Sequence, residues 1–526
     1  MFLTSSGGRL SLSFNLNLSI GQLLVTINAR KIIFSNLMSG GVAKTLGAVV
    51  GFISLPIIVS QLGKEQYGVW VLASQLIQFF ILSDFGISNY IGRVIARAKI
   101  GSEKNELVKS QVTSFILLLI AMLIVVTVTF IILPWLDVIL NFDAVYLGEV
   151  KSIVLITSAG VALSMPLRLG QGILAGYQKY ASINLAQTIT SSGYMASILY
   201  LSYTHQLTFV NLALVSASRV FSLQLLYCIL ASKYFRFLDL FKLSFFSKKF
   251  AKELTSMGGS AMLLTSGSLI YKQGLIIAAS HFLGATQVGI YALVITLSTH
   301  ASGLLNLIAM PLVTISSEFH AAKEKWRIVR AGKMAMEISF LLGLTTFVSA
   351  LFFGEDFLRT LLIRTNWVDE DFNAAHSCLI ITSFAIAVGL PQMTSRNILQ
   401  GIGYHWIISR RFFCGAIFSL TLGTSLLFFR PSILSAAIGW ASIWIIQGLI
   451  LYPGLIANYF EVKPINLLYK CYIKPCFISL VMIVISWVIF GLPLEPIYSL
   501  ITGASLNLII TIIGILLIKK SWSAGQ

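Results

Sequence analysis

Apolar runs of roughly 20 residues, each long enough to cross ~30 Å of hydrocarbon as a helix rising about 1.5 Å per residue, recur from about residue 40 almost to the C-terminus. Short polar connections separate them. Stretches such as SFILLLIAMLIVVTVTFIIL (residues 114–133) are apolar on every face, whereas a membrane barrel needs period-2 segments of about ten residues. With 57% hydrophobic and 11% charged residues, against about a quarter charged in soluble domains, the chain reads as an all-α polytopic membrane protein. The pattern predicts fourteen spans, near 42–62, 68–92, 111–135, 150–167, 180–203, 208–230, 256–281, 288–316, 334–353, 374–392, 406–429, 432–455, 472–491 and 497–518.

A net charge of +18 invites a nucleic-acid partner, but the cations fall where topology wants them. With a cytoplasmic N-terminus, the inner connections collect Arg93, Arg97, Lys99, Lys104 and Lys109, then Lys233, Arg236, Lys242, Lys248, Lys249 and Lys252. The second half adds Lys323, Lys325, Arg327, Arg330 and Lys333. Outer connections are comparatively acidic, with Asp137, Asp143 and Glu149 after span 3 and Asp369, Glu370 and Asp371 after span 9. This alternation is the positive-inside pattern; it predicts cytoplasmic termini and leaves no basic surplus for nucleic acid. The five cysteines form neither a CxxC nor a Cys/His cluster, so no metal or other cofactor is expected. Residues 1–37 fit the span pattern poorly: SLSFNLNLSI (11–20) suits a surface arm, and translation beginning at Met38 would make the extension a start-site artefact.

One phrase occurs twice, as LGKEQYGVW at 62–70 and LGATQVGIY at 283–291. Both copies fall at a short outer connection, and Gly63, Gln66 and Gly68 answer to Gly284, Gln287 and Gly289. A second echo, PLRLGQGILAGYQKY (166–180) with PQMTSRNILQGIGYHW (391–406), follows in the same order at a similar separation. Duplication explains both. An even number of spans separates the copies, so they enter the membrane in one direction and are related by an axis along its normal. The expected organisation is a six-helix lobe over 38–252, a second over 253–462, and two further helices over 463–526. A cleft between such lobes could open to alternate sides.

The stretch LGKEQYGVWVLASQLIQFFILSDFGISNYIGRVIARA, the ILAGYQKY segment and the second copy LGATQVGIYAL resemble the polysaccharide-transporter, or O-antigen flippase, branch of the multidrug/oligosaccharidyl-lipid/polysaccharide superfamily. The resemblance implies two bundles around a V-shaped cavity in the bacterial inner membrane. It implies a flippase moving undecaprenyl-pyrophosphate-linked oligosaccharide outward, with protons or sodium as coupling ions and polysaccharide polymerases as partners. Where family members often carry an acid in span 7, this chain has Tyr271, Lys272 and Gln273.

A lipid pyrophosphate cannot leave water without compensating charge, so intramembrane cations are the candidate contacts. Arg219 in span 6 offers paired donors to phosphate, and Lys272 in span 7 and Lys44 at the inner end of span 1 are further candidates. Arg168 and Arg396 follow Pro166 and Pro391 in the two echoing inner segments. Asp84 is the ion-coupling candidate. Each central charge costs ~2.5–3.5 kcal/mol to insert, and therefore calls for a cavity or a partner. For Arg219 the bland reading is an ion pair with Asp84, or snorkelling; for Lys272 it is snorkelling to the outer leaflet.

An enzyme of polysaccharide assembly would need a large outer loop, and the longest connection expected here is 354–373. GGVAKT (40–45) lacks the glycine and the preceding strand of a phosphate loop. Within the superfamily the alternatives are a drug or small-cation antiporter and a peptidoglycan-precursor flippase. A cation exporter should show uncompensated acids in its spans, whereas this chain sets Asp84 against Arg219 and Lys272.

Overall fold

The computed structural model describes residues 39–523, less Phe85, residues 99–103, Arg236, Arg364 and Leu494. The extension at 1–37 lies outside the described residues. All regular structure among them is helical. Among the described residues twelve helices are long and apolar enough to cross a membrane. The first, Ser39–Asp84 (α1), accounts for two expected spans, because it breaks at Gly63 (φ 79°, ψ 168°), a conformation that favours glycine. Tyr180–Tyr203 supplies the remaining span; it has the length, but Ser182, Asn184, Gln187, Thr188, Thr190, Ser191 and Ser192 lower its hydropathy.

In the first half, α1 is followed by Ile87–Ala98 (α2), Lys104–Ile132 (α3), Leu147–Ser164 (α4), Arg168–Gly176 (α5), Tyr180–Tyr203 (α6) and Phe209–Ala231 (α7). The second half holds Lys248–Leu269 (α8), Ala285–Leu305 (α9), Leu312–Ala321 (α10), Lys325–Leu361 (α11), Asp369–Gly401 (α12), His405–Phe429 (α13) and Ile433–Ile446 (α14). Pro464–Phe490 (α15) and Pro496–Ser523 (α16) complete the chain, each with proline at its first position, where the missing N–H costs nothing. They pack chiefly on α11.

Inner and outer denote here the basic and the acidic side. At the outer end one apolar core runs through both halves, joining Val59, Leu62, Tyr67 and Leu136 to Leu275, Val288, Tyr291 and Trp440. Toward the inner end the core divides. Ile87, Tyr90, Leu169 and Tyr227 belong to one cluster, and Leu312, Ile328, Ile398 and Tyr452 to another. The halves thus share one core outside, whereas inside each has its own cluster and smaller contacts join them: Leu254 of α8 packs in the first cluster, Tyr90 donates to Glu253 at 3.3 Å, and Lys44 meets Met310.

Polar contacts reinforce the outer junction. Lys64 Nζ lies 2.7 Å from Asp371 Oδ2, Asn141 Nδ2 donates to the Ser280 carbonyl at 2.9 Å, and His281 Nε2 is 3.1 Å from the Val138 carbonyl. Two details differ from the sequence reading. The helix resumes at Lys64 instead of Gly68, so Gly68 is no turn residue. The connection expected at 354–373 shrinks to 362–368, because both flanking helices run on beyond the apolar stretch.

Candidate functional site

Three helices of the second half depart from regular α geometry around one hollow of about 310 Å³. α8 passes through a π turn at Ile270–Gly274, and α14 through another at Gln447–Leu451. α12 carries Pro391 in its interior. Such irregularities re-aim side chains and free backbone groups, at a cost that persists where a site needs it. Here the two π turns deliver Lys272 and Gln447 to the hollow, and the turn after Pro391 delivers Arg396. Thr265, Ser268 and Tyr271 add hydroxyls; among the described residues no acid lines the wall.

Aromatic faces hold these cations. Lys272 Nζ lies 5.6 Å from the Tyr271 ring centroid, and the Arg396 guanidinium 5.9 Å from that of Phe412. Arg219 of α7 repeats the device in the first half: its guanidinium sits 4.8 Å from the Tyr194 ring, and Nη2 donates to Ser191 Oγ at 3.3 Å. A ring attracts a cation by about 0.5–1 kcal/mol without cancelling its charge, which stays available to a ligand. Arg396 Nε is moreover buried without a hydrogen-bond partner.

His300 of α9 connects the two groups. Its ring fits the notch that Gly51 leaves on α1, lies 5.7 Å from the Phe52 ring, and is within electrostatic reach of both Arg219 and Lys272. The cations that line the hollow itself, Lys272 and Arg396, both belong to the second half; Arg219 of the first half is linked to them through His300. Arg219 and Lys272 are both half-buried. His300 was absent from the sequence candidates, although a histidine in mid-span is as much a signal as a lysine. Ser191 and Tyr194 were also missed; their signal is the polarity of span 5.

The other candidates lie elsewhere. Asp84 pairs with Arg168, not Arg219: Arg168 Nη1 is 3.5 Å from Asp84 Oδ2, both side chains are largely buried, and Ser88 Oγ adds a donor at 3.3 Å. The Asp84–Arg219 pair considered from the sequence is thereby corrected. The physical reason is local: α1 ends in a 3-10 turn, Phe79–Asp84, beside the start of α5, where Arg168 stands. The two echoing segments are used differently, since Arg168 is neutralised and Arg396 is not. Lys44 is exposed at the inner end of α1, its ammonium against the Met310 sulfur of the opposite half. One intramembrane acid also escaped the sequence reading: Glu337 of α11, buried, accepts from Trp522 Nε1 at 3.1 Å, outside the cationic hollow.

Residues 33–320, more than half of the chain, match the polysaccharide biosynthesis protein family. The chain belongs to that family. Among curated proteins none matches it. Solved structures share its fold. The lipid II flippase MurJ in an inward closed conformation is 13% identical with a TM-score of 0.70, the match covering 92% of this chain and 99% of that one. An inward-facing multidrug resistance MATE family transporter of the MOP superfamily is 16% identical with a TM-score of 0.68, covering 80% and 99%. A MOP superfamily transporter from Pyrococcus furiosus, described as having a binding pocket of reversed polarity that suggests a different function, is 15% identical with a TM-score of 0.53, covering 84% and 96%. At such identities the likeness speaks to the fold.

Proposed function

We propose that this family member is a flippase that carries an undecaprenyl-pyrophosphate-linked oligosaccharide across the bacterial inner membrane by alternating access. One observation carries the reading: Lys272 and Arg396 share a hollow on aromatic supports, and among the described residues no acid lines it; Arg219, on its own aromatic support in the first half, is the cation this reading adds from across the lobes. A pyrophosphate leaving water needs that arrangement, since unneutralised guanidinium and ammonium groups replace its hydration. A drug cation needs the opposite.

In this reading the lobes 38–252 and 253–462 rock about their outer junction, with helices 463–526 riding on the second. Entry in this reading is from the cytoplasmic leaflet, where Lys44 would exchange the Met310 sulfur for the incoming headgroup. Arg219 of the first lobe and Lys272 of the second then grip the diphosphate, and Arg396 with Gln447 extends the site within the second lobe. Asp84, engaged by Arg168 and Ser88, can serve ion coupling only by exchanging that partner for a proton or sodium.

The test is an Arg219→Ala variant in cells lacking the native copy, scored for lipid-linked oligosaccharide at the outer leaflet. Loss of that signal at normal protein abundance is expected; unimpaired flipping by the folded variant overturns the role of Arg219. Deletion of the gene separates the cargoes: loss of a surface glycan supports the oligosaccharide, whereas accumulation of peptidoglycan precursor selects the lipid II alternative.

A further inference from the structure

A second cationic hollow, of about 1180 Å³, lies well apart from the first, where the inner ends of α11, α15 and α16 meet the connection after Phe460. Lys325, Arg330, Lys333, Lys470 and Lys474 face it, against two acids, Glu337 and Glu461. Both acids are engaged. Lys325 pairs with Glu461 and holds its carboxyl below the usual carboxylate range, so this pair stays charged at neutral pH. Glu337 accepts from Trp522, Arg330 donates to the Trp522 carbonyl, and Lys474 Nζ donates to Ser521 Oγ at 3.0 Å. No ion pair engages Lys333 or Lys470 among the described residues, and they point a surplus of positive charge into the hollow.

Depth decides what such a hollow can hold. α11 has 37 residues. At about 1.5 Å per residue it runs about 55 Å, far beyond ~30 Å of hydrocarbon, so its basic first turns stand at headgroup level. Trp326 and Tyr469, both exposed at the rim, are the interfacial aromatics expected there. Beyond Tyr469 the outer face of α15 presents Phe477, Val481, Val484 and Val488 as an exposed apolar stripe that acyl chains can follow. Cations at headgroup depth above an apolar stripe match an anionic lipid and no soluble anion.

We propose that this hollow seats the phosphate of an anionic phospholipid, held between Lys333 and Lys470 with Arg330 beside them, as a resident lipid distinct from the transported cargo. Its bound headgroup ties α15 and α16 to α11, the helix on which they depend for packing.

Native mass spectrometry of the full chain, with phosphatidylglycerol, phosphatidylcholine or inorganic phosphate added, tests this. Wild type should retain phosphatidylglycerol selectively, and Lys333→Gln/Lys470→Gln should lower retention about tenfold or more, as expected for two lost charge-assisted hydrogen bonds. The charge-keeping Lys333→Arg/Lys470→Arg variant should retain it, which guards against a folding defect in the glutamine variant. Arg219→Ala/Lys272→Ala should retain it as well, which separates this hollow from the cargo site. Equal retention of phosphatidylcholine, or undiminished phosphatidylglycerol on the glutamine variant, overturns the proposal. So does inorganic phosphate that competes as well as the lipid.

Discussion

Gly68 and Gly289, the same position in the two copies of the repeated phrase, lie against each other where α1 crosses α9. A Cβ on Gly289 would stand 3.1 Å from the Gly68 nitrogen and 2.8 Å from the Lys64 carbonyl oxygen, and one on Gly68 would overlap the Ala285 carbonyl. The phrase is written twice because its copies meet: only a residue without a side chain lets the backbones approach so closely, and each copy needs it on its own side of the crossing.

Gly68→Ala should therefore wedge the outer junction apart. Overpacking of this kind costs about 1–3 kcal/mol, enough to move a closed outer end toward an open one. Spin labels placed on either side of the junction should show the longer separation gaining population, with a matching loss of flipping. An unchanged distance distribution would mean that the crossing relaxes elsewhere.

Lys64 and Asp371 brace the same junction at 2.7 Å, partly exposed. Removing either charge should shift the equilibrium by at most about fivefold, in line with the ~0.2–1 kcal/mol of such pairs. Lys64→Asp combined with Asp371→Lys should restore it. A larger effect of Lys64→Ala that the swap fails to repair would assign Lys64 another task.

Arg219→Lys is the sharper companion of the alanine variant. Lysine keeps the charge but loses the fork that engages two phosphate oxygens and the plane that lies on Tyr194. Transport should fall about tenfold to a hundredfold in Arg219→Ala, the value of one charge-assisted contact, and recover only in part in Arg219→Lys. Complete recovery would reduce the requirement to positive charge alone.

Asp84→Asn strands the Arg168 guanidinium in a largely buried place. A loss of ~3–5 kcal/mol is expected, seen as a lower melting temperature in detergent and lower abundance. Asp84→Asn with Arg168→Met should regain much of it. If Asp84→Asn instead melts like wild type and loses only the proton or sodium dependence of transport, the carboxylate is a coupling group and the pair is incidental.

Lengths, directions and charge sidedness were legible because they are properties of one helix at a time. Span 5 shows the limit of that reading: Tyr180–Tyr203 was found by length while its purpose was not, since Ser191 and Tyr194 acquire meaning only once Arg219 from the next helix lies on them. The partner of Asp84 was misjudged for a related reason. Helix rotation and the short 3-10 turn at Phe79–Asp84 decide which arginine it meets, and neither leaves a mark in hydropathy. The π turns that present Lys272 and Gln447 are likewise invisible, because one extra residue in a turn changes no composition. Glu337 was passed over beside a run of basic residues that reads as an inner connection, yet the helix carries it indoors.

An undivided oily seam on the acidic side and a parted one on the basic side make the two gates unequal in kind. Spreading the former wets side chains such as Val59 and Val288, whereas spreading the latter parts smaller contacts such as Tyr90 with Glu253 and Lys44 with Met310. Were the lobes to rock as proposed, the basic side would open at less cost than the acidic one. The larger share of the work in such a cycle would then fall on unsealing the acidic side.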